Sequence, residues 1–106
     1  MIGKEKISEI VSKIAVGYNP DKIILFGSYA MGNAKEDSDL DLLVIKDSDL
    51  PRPQRTALVR KMLYGSLIPI DLIVYTHQEI NDSKANQYSF VHEVLSTGKT
   101  IYERVI

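Results

Sequence analysis

Residues 26–45 read FGSYAMGNAKEDSDLDLLVI, and this stretch predicts two neighbouring strands joined by a short turn and a loop. The run Lys22–Phe26 is rich in branched apolar residues and stops at Gly27, so it predicts a buried strand. Ser28–Gly32 is long enough for one or two helical turns. Leu40–Ile45 predicts the second strand.

Helices are predicted on both sides of this stretch. Near the N-terminus, apolar residues recur at the i, i+3, i+4 and i+7 spacing of one helix face, at Ile7, Ile10, Val11 and Ile14. The sequence Gly17-Tyr18-Asn19-Pro20 then ends that helix. Later helices are predicted over Gln54–Tyr64 and over Gln87–Ser96. Between them, Thr76 and Glu79 match a capping box, which predicts that another helix starts there.

Two more strands are predicted in the second half of the chain, over Ile68–Tyr75 and Thr100–Val105, and residues 46–53 form a polar loop. The resulting order of elements indicates an α/β (α+β) fold. We expect a small mixed β-sheet with helices packed mainly on one face. We also expect residues 1–106 to form one domain, because a chain of 106 residues suits a single core.

Composition excludes several classes of function. The chain has no cysteine, which excludes disulfides, thiol catalysis and cysteine-ligated zinc. Its net charge of −1 argues against strong, sequence-independent binding of nucleic acid. No apolar run approaches the ~18–20 residues of a membrane helix, and the N-terminus lacks the apolar core of a secretory signal. We therefore expect a cytoplasmic protein with no membrane partner.

Three aspartates are the candidate chemical centre. Asp39 and Asp41 are two residues apart in a predicted strand, so their side chains point to one face, whereas Leu40 and Leu42 point to the core. Asp71 lies within IPIDLIVY, where its apolar neighbours would cost it hydration. If the two strands adjoin, the carboxylates converge, and two charges ~4 Å apart repel by about 4 kcal/mol at an effective dielectric of ~20.

Such a cluster must take up protons or cations. Carboxylate oxygens suit Mg²⁺, and a pair of metal ions can hold the attacking and leaving oxygens of a displacement at phosphorus. The alternative is that Asp39 and Asp41 are solvated residues on an exposed face and that Asp71 has a capping or surface role.

Gly27 and Ser28 are candidates for phosphate binding. They follow a predicted strand and open a helical turn, where free backbone N–H groups and a hydroxyl can bind phosphate oxygens. Glycine also allows a close approach of the backbone. The alternative is an ordinary strand-to-helix turn in which Ser28 is the N-cap.

The spacing of these residues resembles that of a known family. Gly27-Ser28, ten intervening residues, Asp39-x-Asp41 and a later strand aspartate, Asp71, look like the polymerase-β-type nucleotidyltransferase superfamily. The chain is most similar to its minimal single-domain branch, whose members are often paired with a HEPN-domain partner. The resemblance implies that Asp39, Asp41 and Asp71 bind two Mg²⁺ ions and that Asp71 helps to activate the acceptor hydroxyl.

One departure from the family pattern concerns phosphate charge. Many members carry an arginine at the position of Met31, and the first variable position of the turn is Tyr29 here. The phosphate charge would then be met by metal ions, by the loop backbone or by basic residues elsewhere, for which the candidates are Lys35, Arg52 and Arg55.

The resemblance implies transfer of a nucleoside monophosphate from an NTP, with ATP as the expected donor, to an acceptor hydroxyl. The acceptor would be a tyrosine of a HEPN-type toxin, which the chain would silence as an antitoxin by AMPylation. Two alternatives stay open: a non-enzymatic antitoxin that acts by contact, and a small-molecule nucleotidyltransferase that works as a homo-oligomer. A partner could dock on the face formed by Phe90, Val91, Val94 and Leu95, although burial of these residues against the sheet is the expected role.

Overall fold

Helices and strands follow one another in the predicted order in a computed structural model, which describes residues 1–105. The helices are α1 (Lys4–Tyr18), α2 (Gly27–Met31), α3 (Arg52–Met62), α4 (His77–Lys84) and α5 (Phe90–Thr97). The strands are β1 (Lys22–Phe26), β2 (Leu40–Ile45), β3 (Ile70–Tyr75) and β4 (Lys99–Glu103).

The strands form one mixed sheet in the order β3-β2-β1-β4. Strand β1 is antiparallel to both β2 and β4, whereas β2 and β3 are parallel. A parallel pair needs a crossover connection, and α3 supplies it between β2 and β3. The predicted small mixed sheet is thereby confirmed, and β3 lies at one edge of it.

The two faces of the sheet bury separate apolar clusters. Leu40, Leu42 and Val44 of β2 pack with residues of α1 and α3, and all three are fully buried. Leu43 and Ile45 point to the opposite face, where they pack with residues of α4 and α5. The expectation of helices mainly on one face thus describes the two longest helices, and the shorter α4 and α5 cover part of the other face.

Several element boundaries differ from the prediction for local reasons. Helix α3 begins at Arg52 rather than Gln54, because Pro53 lies in its first turn, where a missing N–H costs no helical hydrogen bond. It ends at Met62 rather than Tyr64. Strand β3 begins at Ile70, after Pro69, rather than at Ile68.

The C-terminal elements are also shifted from their predicted boundaries. Helix α5 begins at Phe90 rather than Gln87, since the side chain of Ser89 accepts a hydrogen bond from the His92 N–H and caps the helix there. Strand β4 covers Lys99–Glu103, so the predicted Thr100–Val105 is shifted by one residue at its start and two at its end.

The predicted burial of the α5 face holds for only half of its residues. Val91 and Val94 are buried, at 1% and 2% exposure, as expected. Burial was wrong for Phe90 and Leu95, which are each 42% exposed. The ring of Phe90 still contacts Phe26 edge-on, with centroids 5.4 Å apart, and therefore covers part of the sheet without being enclosed.

The predicted capping box of Thr76 and Glu79 is present and is tied to a buried arginine. Thr76 Oγ1 accepts the Glu79 N–H at 3.2 Å, and Glu79 Oε1 accepts the Thr76 N–H at 2.8 Å. Arg55, only 6% exposed, donates to Glu79 Oε1 at 2.6 Å and to the carbonyl oxygens of Leu50 and Val74 at 2.8 and 3.0 Å. This network joins α3, β3 and the start of α4. Among residues 1–105, no helix is both long enough and apolar enough to cross a membrane.

Acid should weaken this network. Burial raises the pKa of Glu79, but hydrogen bonds from Arg55, the Thr76 backbone and Arg52 outweigh it and lower the pKa from 4.5 to about 2. A folded-state pKa below the unfolded value stabilises the fold above pH ~4.5, and this contribution is lost as pH falls towards about 2. It should be worth on the order of 2 kcal/mol after solvent screening.

The test compares urea unfolding of the wild type and Glu79→Gln across this pH range. The difference in unfolding free energy should be largest near neutral pH and should shrink through the acidic window. Glu5→Gln, an exposed residue of α1, is the matched control and should leave the pH profile unchanged. A constant difference between wild type and Glu79→Gln at all pH values would contradict the assignment.

Candidate functional site

The parallel register of β2 and β3 places two of the three predicted aspartates side by side. Asp41 is paired directly with Asp71, and neighbouring strands lie ~4.8 Å apart. Both side chains point to the α4/α5 face, because the residues on either side of Asp41, Leu40 and Leu42, face the other cluster. Asp39 lies immediately before β2, which begins at Leu40, rather than inside the strand as predicted.

The three carboxylates differ in their exposure to solvent. Asp71 is exposed, so the prediction that it loses hydration was wrong, and the reason is that β3 is an edge strand open to solvent. Asp39 is exposed as well, whereas Asp41 is half-buried between the neighbouring strands. Burial, followed by the negative charges of Asp71 and Asp39, raises the pKa of Asp41. The negative charges of Asp71 and Asp39 therefore act on the carboxylate of Asp41.

The negative charge of this cluster is not neutralised by the protein. The ion pairs formed among residues 1–105 involve none of Asp39, Asp41 and Asp71. No group of three or more His, Cys, Asp or Glu in that part of the chain is close enough to hold a metal ion by itself. An open set of hard oxygen donors with uncompensated charge fits Mg²⁺, which binds through a few carboxylates and completes its shell with water and substrate phosphates.

Gly27 is required by the position of Asp41. Its φ is +71°, in the left-handed region that side chains rarely adopt. A Cβ atom at Gly27 would also lie 2.0 Å from Asp41 Oδ2, well inside van der Waals contact. From the sequence, Gly27 was predicted only to let the backbone approach a phosphate. The structure shows that the absence of a side chain at Gly27 also leaves space for the Asp41 carboxylate.

Ser28 is the second residue of α2 and not its cap. Helix α2 begins at Gly27, the N-cap position belongs to Phe26, and no side chain caps the helix. The alternative in which Ser28 is an ordinary N-cap is therefore wrong. Gly27 and Ser28 directly follow β1, whose last residue, Phe26, pairs with Asp41. Their role in phosphate binding stays a prediction, and the fold places them beside the carboxylates.

The basic residues proposed for phosphate are mostly engaged elsewhere. Arg55 is buried against Glu79, and Arg52 donates to Glu79 Oε2 at 2.9 Å while lying 4.1 Å from the centre of the Tyr75 ring. Both lie near the last residues of β3, where Arg55 donates to the Val74 carbonyl and Arg52 contacts Tyr75. Lys35, in the loop that leads to Asp39, has no ion pair among residues 1–105.

Tyr29 and Met31 differ in what they contact. The hydroxyl of Tyr29 accepts the Ile2 N–H at 2.8 Å, and its ring packs against the larger apolar cluster, so this residue fastens the N-terminus. Met31 is 63% exposed at the end of α2 and offers no charge to a phosphate. Sequence reasoning missed the tie between Tyr29 and Ile2, since it links residues distant in the chain.

Comparison with known proteins agrees with this geometry. Residues 5–105 match the family model described as "Polymerase beta, Nucleotidyltransferase". A protein of Methanocaldococcus jannaschii, whose assigned name is protein adenylyltransferase, is 36% identical over 101 residues, which is 93% of this chain and 97% of that protein.

Solved structures share the fold at lower sequence identity. A crystal structure from Sulfolobus solfataricus, assigned as a nucleotidyltransferase, has a TM-score of 0.66 and 21% identity and covers 94% of this chain and 79% of its own. A chain in the crystal structure of a toxin–antitoxin with AMP-PNP has a TM-score of 0.60 and 23% identity, and covers 97% of this chain and 75% of its own.

The contact between Gly27 and Asp41 can be tested with two glycine substitutions. Gly27→Ala should lower the unfolding free energy by roughly 2–3 kcal/mol, because it combines a left-handed backbone with a clash. Gly32→Ala is the matched control, since Gly32 has a φ of +79° and nothing within 4 Å of its Cβ position. It should cost only about 1 kcal/mol. Equal losses in chemical unfolding would mean that Asp41 does not constrain Gly27.

Proposed function

Because the chain belongs to the polymerase β nucleotidyltransferase family, we propose that it transfers AMP from ATP to a hydroxyl group of a partner protein. The observation that carries this proposal is the pairing of Asp41 with Asp71 in parallel register, directly beside Gly27. This arrangement gathers negative charge without neutralising it, as a site that binds cations together with a triphosphate requires.

Each residue of the site has a part in the proposed reaction. The backbone at Gly27 and the Ser28 hydroxyl hold the phosphates of ATP. Asp71, exposed at the sheet edge, accepts the proton of the acceptor hydroxyl. The acceptor oxygen forms a bond to the α-phosphorus, the bond from that phosphorus to the oxygen bridging the β-phosphate breaks, and pyrophosphate leaves. Positioning and charge stabilisation supply most of the rate.

Two Mg²⁺ ions are part of the proposal, with Asp39, Asp41 and Asp71 as their protein ligands. When bound, the ions neutralise the phosphate and carboxylate charges and lower the pKa of the attacking hydroxyl. The donor set supports this choice, because it consists of oxygens alone and is open towards a substrate. Burial, followed by the negative charges of Asp71 and Asp39, raises the pKa of Asp41, and a bound cation would favour the charged form of this carboxylate.

The partner is proposed to be a HEPN-type toxin that the chain silences by AMPylation. Similarity in fold to a chain of a toxin–antitoxin with AMP-PNP supports both a toxin partner and an adenine nucleotide. The relative from M. jannaschii supports a protein acceptor by its assigned name. The cytoplasmic location expected from the sequence remains a prediction.

The contact-only antitoxin is the weaker hypothesis on electrostatic grounds. A module that only blocks its partner gains nothing from a half-buried Asp41 beside two further carboxylates, because burial and then the charges of Asp71 and Asp39 raise the pKa of Asp41 and disfavour its charged form. Gly27 likewise has a conformation and a contact that serve the position of Asp41. Both features have a purpose only if the carboxylates bind something.

Radiolabelling tests the proposed transfer. The protein is incubated with ATP labelled at the α-phosphate, with Mg²⁺ and with a lysate of its host. Wild-type protein should produce a labelled protein band, and Asp39→Asn/Asp41→Asn should reduce the label by at least ~100-fold, because it removes carboxylates proposed to hold the Mg²⁺ ions that stabilise the negative charge of the transition state. Asp47→Asn, a change of the same kind in the loop after β2, is the matched control and should label normally.

Identification of the labelled band also separates the alternatives. A labelled small-molecule product with no labelled protein band, absent with the double substitution, would point to a small-molecule acceptor. A protein that co-purifies with the chain but never carries label, with either Mg²⁺ or Mn²⁺ and with any NTP, would contradict the transferase and leave the contact-only antitoxin.

A further inference from the structure

We propose that the free edge of β3 binds the acceptor protein as an added antiparallel strand, which places the residue to be modified directly opposite Asp71. The inference depends on the proposed AMP transfer and specifies how that site recognises its acceptor. Adding an extended segment to a sheet edge is a common mode of peptide recognition.

Hydrogen bonds of β3 show which backbone groups are free to bind a new strand. The carbonyl oxygens of Pro69 and Tyr75 accept N–H groups of Leu40 and Lys46, so these odd-numbered positions face β2. By alternation, the N–H and C=O groups of Ile70 and Leu72 face outward. The outward carbonyl of Val74 is occupied by Arg55, which limits the open edge to the part of β3 around Asp71.

The two edges of the sheet differ in how they are protected against pairing. Strand β4, at the other edge, carries Lys99 and Glu103 at its two ends, and charges on an edge strand discourage another chain from pairing. Strand β3 reads IDLIVY, and its only charged residue is Asp71. An apolar edge whose single charge is a proposed catalytic group is suited to binding a strand.

A groove runs along this edge and indicates the chemistry of the strand that fits it. The groove has a volume of about 590 Å³ and is lined by Pro53, Thr56, Ala57, Leu72 and Ile73. Arg52 and Arg60 of α3 also line it. Arg60 has no ion pair among residues 1–105. The groove therefore favours apolar side chains in its middle and acidic side chains towards the arginines.

A second copy of this chain is a poor occupant of the same edge. Helix α3 has four basic residues and no acidic one; Arg52 and Arg55 are paired with Glu79, but Arg60 and Lys61 form no ion pair among residues 1–105. Two copies joined through β3 would bring two such helices together, and like charges at that distance repel. Charge complementarity thus favours an acidic strand from another protein.

The register explains how a strand would deliver its hydroxyl. Because the backbone groups of Asp71 face β2, a residue opposite it is a non-hydrogen-bonded pair, with Cβ atoms ~4.5–5.5 Å from those of Asp71 on the same face. The residues on either side pair with Ile70 and Leu72 by hydrogen bonds and point towards α3. A tyrosine in the central position can pass its proton to Asp71 as its oxygen bonds to the α-phosphorus and pyrophosphate leaves.

A synthetic peptide tests this register. Acetyl-Gly-Glu-Gln-Val-Tyr-Val-Gln-Glu-Gly-amide puts tyrosine opposite Asp71, valines in the groove and glutamates towards the arginines. The full chain with Mg²⁺ and labelled ATP should label its tyrosine. N-methylation of both valines should cut labelling ~10-fold or more, because it removes hydrogen bonds to Ile70 and Leu72, whereas N-methylation of the tyrosine should change it by less than ~2-fold.

Charge reversal on α3 provides a second test of the proposed binding of the acceptor strand. Arg60→Glu should reduce peptide labelling by roughly 5-fold through loss of attraction to the peptide glutamates, with Mg·ATP affinity unchanged. Lys61→Glu makes the same change one residue away, outside the groove, and should have little effect. In parallel, bound peptide should slow hydrogen exchange of the Ile70 and Leu72 amides.

Several outcomes would overturn the proposal while leaving the transferase intact. Equal effects of the two N-methylated peptides, or of Arg60→Glu and Lys61→Glu, would exclude the strand register. A peptide that is neither labelled nor protective at Ile70 and Leu72 would exclude edge binding. If lysate labelling still depends on Asp39 and Asp41 in that case, the proposed AMP transfer stands and only the mode of acceptor binding is wrong.

Discussion

Repulsion among the carboxylates of Asp41, Asp71 and Asp39 is the constraint to which the rest of the structure responds. The parallel pairing of β2 and β3 holds Asp41 next to Asp71, and α3 is the crossover that makes parallel pairing possible. Gly27, which has no side chain and has a positive φ, leaves the space that the Asp41 carboxylate occupies. Negative charge is therefore concentrated at one end of these strands at a cost in backbone strain at Gly27 and in electrostatic repulsion among the carboxylates.

Acidic side chains lie near both ends of β3, but they are paired with basic side chains at only one end. At the far end, Arg52 and Arg55 neutralise Glu79, which satisfies the capping box and holds α3 against α4. At the near end, no cation of residues 1–105 pairs with the aspartates. The first network stabilises the fold, and we propose that a bound ligand completes the second. The open edge of β3 lies beside Asp71, where we propose that the acceptor binds.

Sequence alone predicted the strands, the three aspartates and the Gly27-Ser28 turn, because these depend on local spacing and alternation. The sequence wrongly predicted that Asp71 loses hydration, since a strand of apolar residues is normally central in a sheet. Only the strand order showed that β3 is an edge strand. The sequence offered Arg52 and Arg55 as candidate phosphate ligands. Their pairing with Glu79 could not be predicted, because it joins residues 24 or more positions apart in the chain. The contact of Gly27 with Asp41 needed the register of β1 against β2.

Thermal and chemical unfolding of Asp41→Asn, with and without Mg²⁺ and a non-hydrolysable ATP analogue, tests the central claim most directly. Without ligand, the substitution should stabilise the protein by on the order of 1 kcal/mol, because it removes repulsion from Asp71 and Asp39. With Mg²⁺ and the analogue together, the wild type should gain stability and Asp41→Asn should gain little. A substitution that destabilises the ligand-free protein, or a wild type that gains nothing from Mg²⁺ and the analogue, would contradict the account.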